Sequence, residues 1–259
     1  SISARGFGLT DGYQNIVVTL NGRRLNNIDM TNSNLGGINI DSIEKIEIAM
    51  GSGSVVYGDN ATAGAVHIFT KTNEGFNTST SFGNYGHQKR TLSYGISDDT
   101  FNFNILIDRL DHGGYGSPDS IGNKDKGSQA NANTSLGFRL KNGTNIHFDR
   151  INYKVNNKYP YSLSKTQFDL NPSNDASSKA RTHKDADSKT TGLKVIFPLS
   201  NNLEVNFDTF KTKKYSQTRY GNASGYGAWG KKDYDYSNND LTITYSNDNI
   251  KINSGIKSL

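Results

Sequence analysis

Two pairs of aspartates, Asp185/Asp187 and Asp233/Asp235, come nearest in type and spacing to residues that do chemistry. Carboxylates two positions apart share one side of an extended chain, and clustered carboxylate oxygens suit a hard cation such as calcium. Neither pair has the EF-hand spacing, so calcium is an expectation from ligand type alone. The histidines, His67, His87, His112, His147 and His183, are scattered and none lies in an HExxH pattern. His67 falls in a strand-like run and reads as structural. No nucleophile, base and orienting group can be assembled, which argues against an enzyme and against a firm metal or cofactor site. The glycine-rich run with Gly51, Gly53, Gly58 and Gly64 is not a phosphate loop. No lysine follows at the required spacing, and strand-like residues come next.

The elements that must position such residues are β-strands. The chain has 259 residues, 33% hydrophobic, with mean hydropathy −0.68. No run approaches the length of an apolar transmembrane helix, a test that half-apolar barrel strands escape. With no cysteine, disulfides and thiolate sites are excluded. The net charge of +5 is spread out, with no Lys/Arg block that would favour nucleic acid. It is compatible with an anionic lipid or lipopolysaccharide surface.

Residues 1–73 mix short strands and turns. Ile16 to Leu20 is a continuous apolar run, as for a strand buried on both faces. Asn21-Gly22 signals a turn. Asp41 to Glu44 fits a capped helical turn. From residue 74 the texture becomes alternating, as in Phe101-Phe103-Ile105-Ile107, Leu136-Phe138-Leu140, Leu203-Val205-Phe207 and Ile250-Ile252. Period two with one apolar face means antiparallel strands, about nine of them. A parity slip between Phe148 and Ile151 reads as a bulge. Tight turns at 97–100, 141–143, 198–201 and 246–248 alternate with long polar segments at about 112–130, 156–185 and 216–232. Phe101, Phe138, Phe197 and Tyr245 sit beside the tight turns. A membrane barrel has this alternation and such an aromatic girdle. A soluble β-sandwich also alternates and uses aromatics in its core.

Four pieces in the first 71 residues tilt the choice. They are Arg5-Gly6-Phe7, Val17 to Leu25, Ile43 to Ile48, and Val56-Tyr57-Gly58-Asp59-Asn60-Ala61 through Lys71. In this order and spacing they resemble the plug domain of TonB-dependent outer-membrane receptors, with the ending closest to cobalamin and siderophore receptors. Beyond residue 75 the likeness is architectural. The sequence departs from that pattern at Asn21, Met50, Ser52 and Ala63.

The resemblance implies a mainly β fold: a small mixed α/β plug (1–73) ahead of the first part (74–259) of a transmembrane antiparallel barrel of about 22 strands. The chain starts inside a motif at Ser1, shows no signal peptide, and ends in a strand-like run, so it reads as a fragment with the TonB box upstream and further strands downstream. Implied partners are the TonB-ExbB-ExbD complex, outer-membrane lipid and a siderophore-iron or cobalamin-like ligand, in a Gram-negative outer membrane. Two plug loops match the ligand-facing apices, one carrying Asp11 and Tyr13, the other Asn27, Asp29, Asn32 and Asn34. Arg5, Arg24, Glu47 and Tyr57 are the expected plug–barrel contacts. The calcium-type aspartates would then lie near the ends of outer loops. The reading from another class is a soluble β-rich glycan- or ligand-binding module, which would pack its apolar faces sheet against sheet.

Overall fold

A computed structural model describes residues 16–26, 38, 40–51, 61, 63–159, 163–172, 179–222 and 224–258. The chain divides into two units, residues 1–72 and 73–259.

The first unit holds a four-stranded mixed sheet in the order β2-β1-β4-β3. Its strands are β1 (Ile16–Leu20), β2 (Arg23–Arg24), β3 (Ile43–Met50) and β4 (Gly64–Thr70). All five residues of β1 are buried, as its unbroken apolar run requires. β1 lies parallel to β4 and antiparallel to β2. Asn21 and Gly22 both have positive φ, 50° and 83°, which is the two-residue turn that an Asn-Gly pair favours. The Asn21 side chain also ties two strands together: its carbonyl oxygen accepts from the Thr70 N–H at 2.9 Å, and its amide donates to Thr70 Oγ1 at 2.8 Å.

Asn26 does more. Its Oδ1 accepts from the Val18 N–H at 2.7 Å and its Nδ2 donates to the Ile16 carbonyl at 3.0 Å. One buried side chain thus continues the β1 ladder where β2 stops. Asn26→Leu would leave two backbone groups unpaired, at a cost of about 2 kcal/mol. The expected result is faster amide exchange at Val18 than in wild type, with residues 73–259 unchanged.

The helical turn is present as a 3-10 helix, Ile40–Ser42, but Glu44 already lies in β3. Sheet pairing wins there because a capping box needs a helix that continues past its first turn. Small residues follow the glycine-rich segment. Ala61, Ala63 and Ala65 are at most 1% exposed, and a Cβ on Gly64 (φ 139°) would overlap the Ala49 carbonyl oxygen. Ala63 has a negative φ, so an alanine serves where a glycine would be free but is not needed.

The second unit is a nine-stranded antiparallel meander in which each strand pairs with the next. It comprises β5 (Gly75–Phe82), β6 (Gln88–Ser97), β7 (Phe101–His112), β8 (Gly127–Arg139), β9 (Asn145–Tyr159), β10 (Thr182–Ser200), β11 (Leu203–Asn222), β12 (Gly225–Ser246) and β13 (Lys251–Ser258). β5 and β13 are its open edges.

The pairings put the large hydrophobics on one face. Phe103 lies opposite Leu136, and Leu136 opposite Phe148. Phe207 lies opposite both Val195 and Leu241. Phe138, Phe148, Phe197, Leu241, Ile243 and Ile252 are 40–55% exposed there. The other face is polar and shielded: Asp108, Asp149, Thr212 and Asn238 are all under 9% exposed. Asn131 donates to Asp108 on that face at 3.1 Å. Phe101 and Phe138 meet across the β7–β8 pair with ring centroids 5.4 Å apart.

Two expectations fail. Residues 216–232 are not a long loop. β11 and β12 run on through them as paired strands and leave only residues 223–224 between. The segment between Phe148 and Ile151 is not a bulge, because β9 keeps one register with both neighbours. The parity slip is a change of face. Ile146 and Phe148 point to the apolar side, then Arg150, Asn152 and Lys154 take that side over, while Val155 is buried on the other. The connections expected at 112–130 and 156–185 span fewer residues, 113–126 between β7 and β8 and 160–181 between β9 and β10. The second contains a short helix, α1 (Lys165–Leu170), with a capping box between Ser164 and Gln167.

Candidate ligand-binding face

Connections 98–100, 140–144, 201–202 and 247–250 gather at one end of the nine-stranded sheet, and 83–87, 113–126, 160–181 and 223–224 at the other, so only two of the four at this second end are long. The loop end has an ordered centre at Asp119. Its Oδ1 accepts from the Asn123 N–H at 2.7 Å and the Ile121 N–H at 3.1 Å, while its Oδ2 accepts from the Arg181 N–H at 2.7 Å. Burial pushes this carboxyl up, but the three backbone donors outweigh it and hold Asp119 below the usual carboxylate range.

Arg181 spans the two loops. It is fully buried, and its guanidinium donates to the Ser117 carbonyl at 2.6 Å and the Asn123 carbonyl at 3.4 Å. It lies 3.9 Å from Asp125, which in turn accepts from the Gly116 N–H at 2.7 Å. Buried charge is tolerated only when paired and hydrogen-bonded, and here it fastens residues 113–126 to the start of β10. The first hairpin joins in. Gly113 N–H donates to the Tyr85 carbonyl at 2.8 Å, and the Tyr85 and Tyr115 rings meet edge to face at 5.1 Å. Both tyrosines are more than half exposed. Nearby on β10 and β12, the His183 and Tyr226 rings lie 6.4 Å apart. The loop end therefore carries amphipathic rings on a hydrogen-bonded base.

Of the residues singled out from sequence, Asp11, Tyr13, Asn27, Asp29, Asn32, Asn34, Arg5 and Tyr57 lie outside the described residues. Arg24 is half-buried in β2 opposite Thr19. Glu47 is exposed on β3 and pairs with Lys45 at 2.8 Å. His67 is structural, its Nδ1 2.9 Å from Thr19 Oγ1 across the parallel strand pair. Asp187, Asp233 and Asp235 line one shallow depression, while Asp185 lies further along β10. Each has a cationic neighbour: Arg219 for Asp185 at 3.6 Å, Lys154 for Asp187 at 3.5 Å, Lys231 for Asp233 at 3.1 Å and Lys211 for Asp235 at 3.1 Å. Among the described residues, no three acidic or histidine side chains converge as a ligand set.

Sequence reasoning missed Asp119, Arg181, Tyr85 and Tyr115. The run Asp119-Ser120-Ile121-Gly122-Asn123 carries a turn signal that points to the first of them. Ser164 and Gln167, in capping-box spacing, announce α1.

Residues 1–65 match the family model of the TonB-dependent Receptor Plug Domain. This segment is a TonB-dependent receptor plug domain. No curated protein matches the sequence significantly. Solved structures share the fold. The siderophore receptor PiuA from Acinetobacter baumannii is similar with a TM-score of 0.65 and 15% identity, over 93% of this chain and 37% of its own. The copper transporter OprC gives 0.70 and 13% over 94% and 37%, and the unliganded ferric citrate transporter FecA gives 0.71 and 12% over 90% and 36%. The chain thus spans little more than a third of each. Behind its plug domain, it carries strands with the fold of TonB-dependent receptors.

Proposed function

We propose that the chain supplies the plug and the first barrel strands of an outer-membrane receptor that binds a scarce metal chelate at its outer loops and imports it with energy from the TonB complex. One observation carries the membrane reading: the nine-stranded sheet exposes a continuous apolar face and shields a polar one. Soluble proteins rarely expose so large an apolar patch, whereas lipid-facing strands require it. A soluble β-sandwich would cover that face with a second sheet, and the described residues of the second unit form a single sheet. The chelate reading draws on the siderophore, copper and ferric citrate relatives. Cobalamin comes from the sequence resemblance alone.

Deleting the gene and growing the strain on single sources of ferric siderophore, ferric citrate, copper or cobalamin tests this. A growth defect on one source, restored by the gene only when TonB is present, is the expected outcome. Normal growth on every source, together with extraction of the protein without detergent, would sink the reading.

A further inference from the structure

The chain contains two Asn-Gly pairs, Asn21-Gly22 and Asn142-Gly143. In such a pair the glycine nitrogen can attack the asparagine side-chain carbonyl, because no β-carbon on the glycine hinders the approach. A new bond from that nitrogen to Cγ closes a succinimide. The Cγ–Nδ2 bond breaks, and Nδ2 leaves as ammonia with the proton from the glycine nitrogen. Water then opens the ring to aspartate or isoaspartate. Asparagine is thermolabile for this reason. Both pairs lie in exposed turns, so access to water does not separate them.

Their side-chain partners do. Asn21 is held at both ends of its amide by Thr70: Oδ1 accepts from the Thr70 N–H at 2.9 Å, and Nδ2 donates to Thr70 Oγ1 at 2.8 Å. Thr70 is the last residue of β4, so these bonds draw the amide across the sheet and away from Gly22. They must break before Cγ can turn onto the Gly22 nitrogen. Asn142 is held the other way. Its Oδ1 accepts from the Thr144 N–H at 3.1 Å, which folds the side chain over the Asn142–Gly143 peptide. Among the described residues its Nδ2 has no hydrogen-bond partner, so the leaving group is free. The Thr144 N–H also sits on the oxygen that gains negative charge as the ring closes. One bond has to yield, from the Gly143 N–H to the Leu140 carbonyl at 2.9 Å.

We propose that Asn142 is the residue at which the folded chain deamidates, and that Thr70 guards Asn21 against the same reaction. The isoaspartate product would carry the backbone through the β-carbon and lengthen the β8–β9 turn by one methylene. That turn is closed by the Leu140 N–H on the Thr144 carbonyl at 2.8 Å, so loosening begins where the β8–β9 ladder begins. At position 21 an aspartate would lose the donor to Thr70 Oγ1.

The test ages the full-length protein in detergent at mildly alkaline pH and follows both peptides by mass spectrometry after digestion. Conversion should run about tenfold or more faster at Asn142 than at Asn21, the factor carried by about 1.4 kcal/mol of amide hydrogen bonding. Thr70→Val removes the Oγ1 acceptor alone. It should bring Asn21 forward severalfold and leave Asn142 at its wild-type rate. In urea the two sites should react at similar rates, because the guard exists only in the fold. An intact Asn142, or an Asn21 that keeps pace with it in the folded protein, would overturn the proposal. So would an unmoved Asn21 in Thr70→Val, or the same tenfold ratio in urea, which would place the difference in local sequence.

Discussion

Phe207→Arg is expected to destabilise the membrane-inserted protein by about 2–4 kcal/mol, the cost of a cation near the middle of a lipid-facing strand. Phe207 lies between Leu203 at the tight turn and Lys211, the first charge along this face of β11, and is flanked across the sheet by Val195 and Leu241. An arginine there has apolar neighbours on both sides. Leu203→Arg, beside the turn, should cost at most about 1 kcal/mol, since its guanidinium reaches the interface. The difference between the two, measured by reversible unfolding from lipid vesicles, separates a membrane belt from an ordinary apolar surface. On a surface facing water, both substitutions would be close to neutral.

Arg181→Met is the second large effect. Removing one partner of a buried, hydrogen-bonded charge typically costs about 3–5 kcal/mol. Here it leaves the Ser117 and Asn123 carbonyls without their guanidinium donor and Asp125 without its cation. The backbone bonds of Asp119 remain, so the damage should be local. Amide exchange should accelerate through residues 113–126 while β10 and β11 below keep their protection, and under the proposed function affinity for the ligand should fall with it. Lysine should not rescue, because one ammonium cannot reproduce the guanidinium's forked set of donors. Unchanged protection of residues 113–126 would contradict the role given to Arg181.

How far the sequence could be read depended on whether one side of a strand carried the apolar face. Phe101 to Ile107 and Leu203 to Phe207 alternate clearly because their odd positions form the exposed apolar face. Beyond Lys211 both faces are polar, so the alternation vanishes while the ladder continues to Asn222. That is why residues 216–232 resemble a loop. The change of face in β9 has the same origin: at Arg150 the apolar positions stop pointing outward, which mimics a bulge. In the plug domain, β1 and the Asn21-Gly22 turn were legible because burial and turn chemistry act locally. The strand-continuing role of Asn26 was not, since it depends on an amide reaching back to Ile16 and Val18. Arg181 was equally hidden, because its partners lie 56 to 64 positions away in the chain.

Single cysteines carrying nitroxides at positions 203 to 213 test the membrane assignment most directly, and the chain has no cysteine of its own to interfere. In outer-membrane vesicles the labels at Val205 and Phe207 should relax with oxygen and be protected from a water-soluble nickel reagent. The label at Asn206 should be shielded from lipid, and those at Lys211 and Lys213 should turn nickel-accessible. Nickel access at Val205 and Phe207, or no alternation between Val205 and Asn206, would contradict the account.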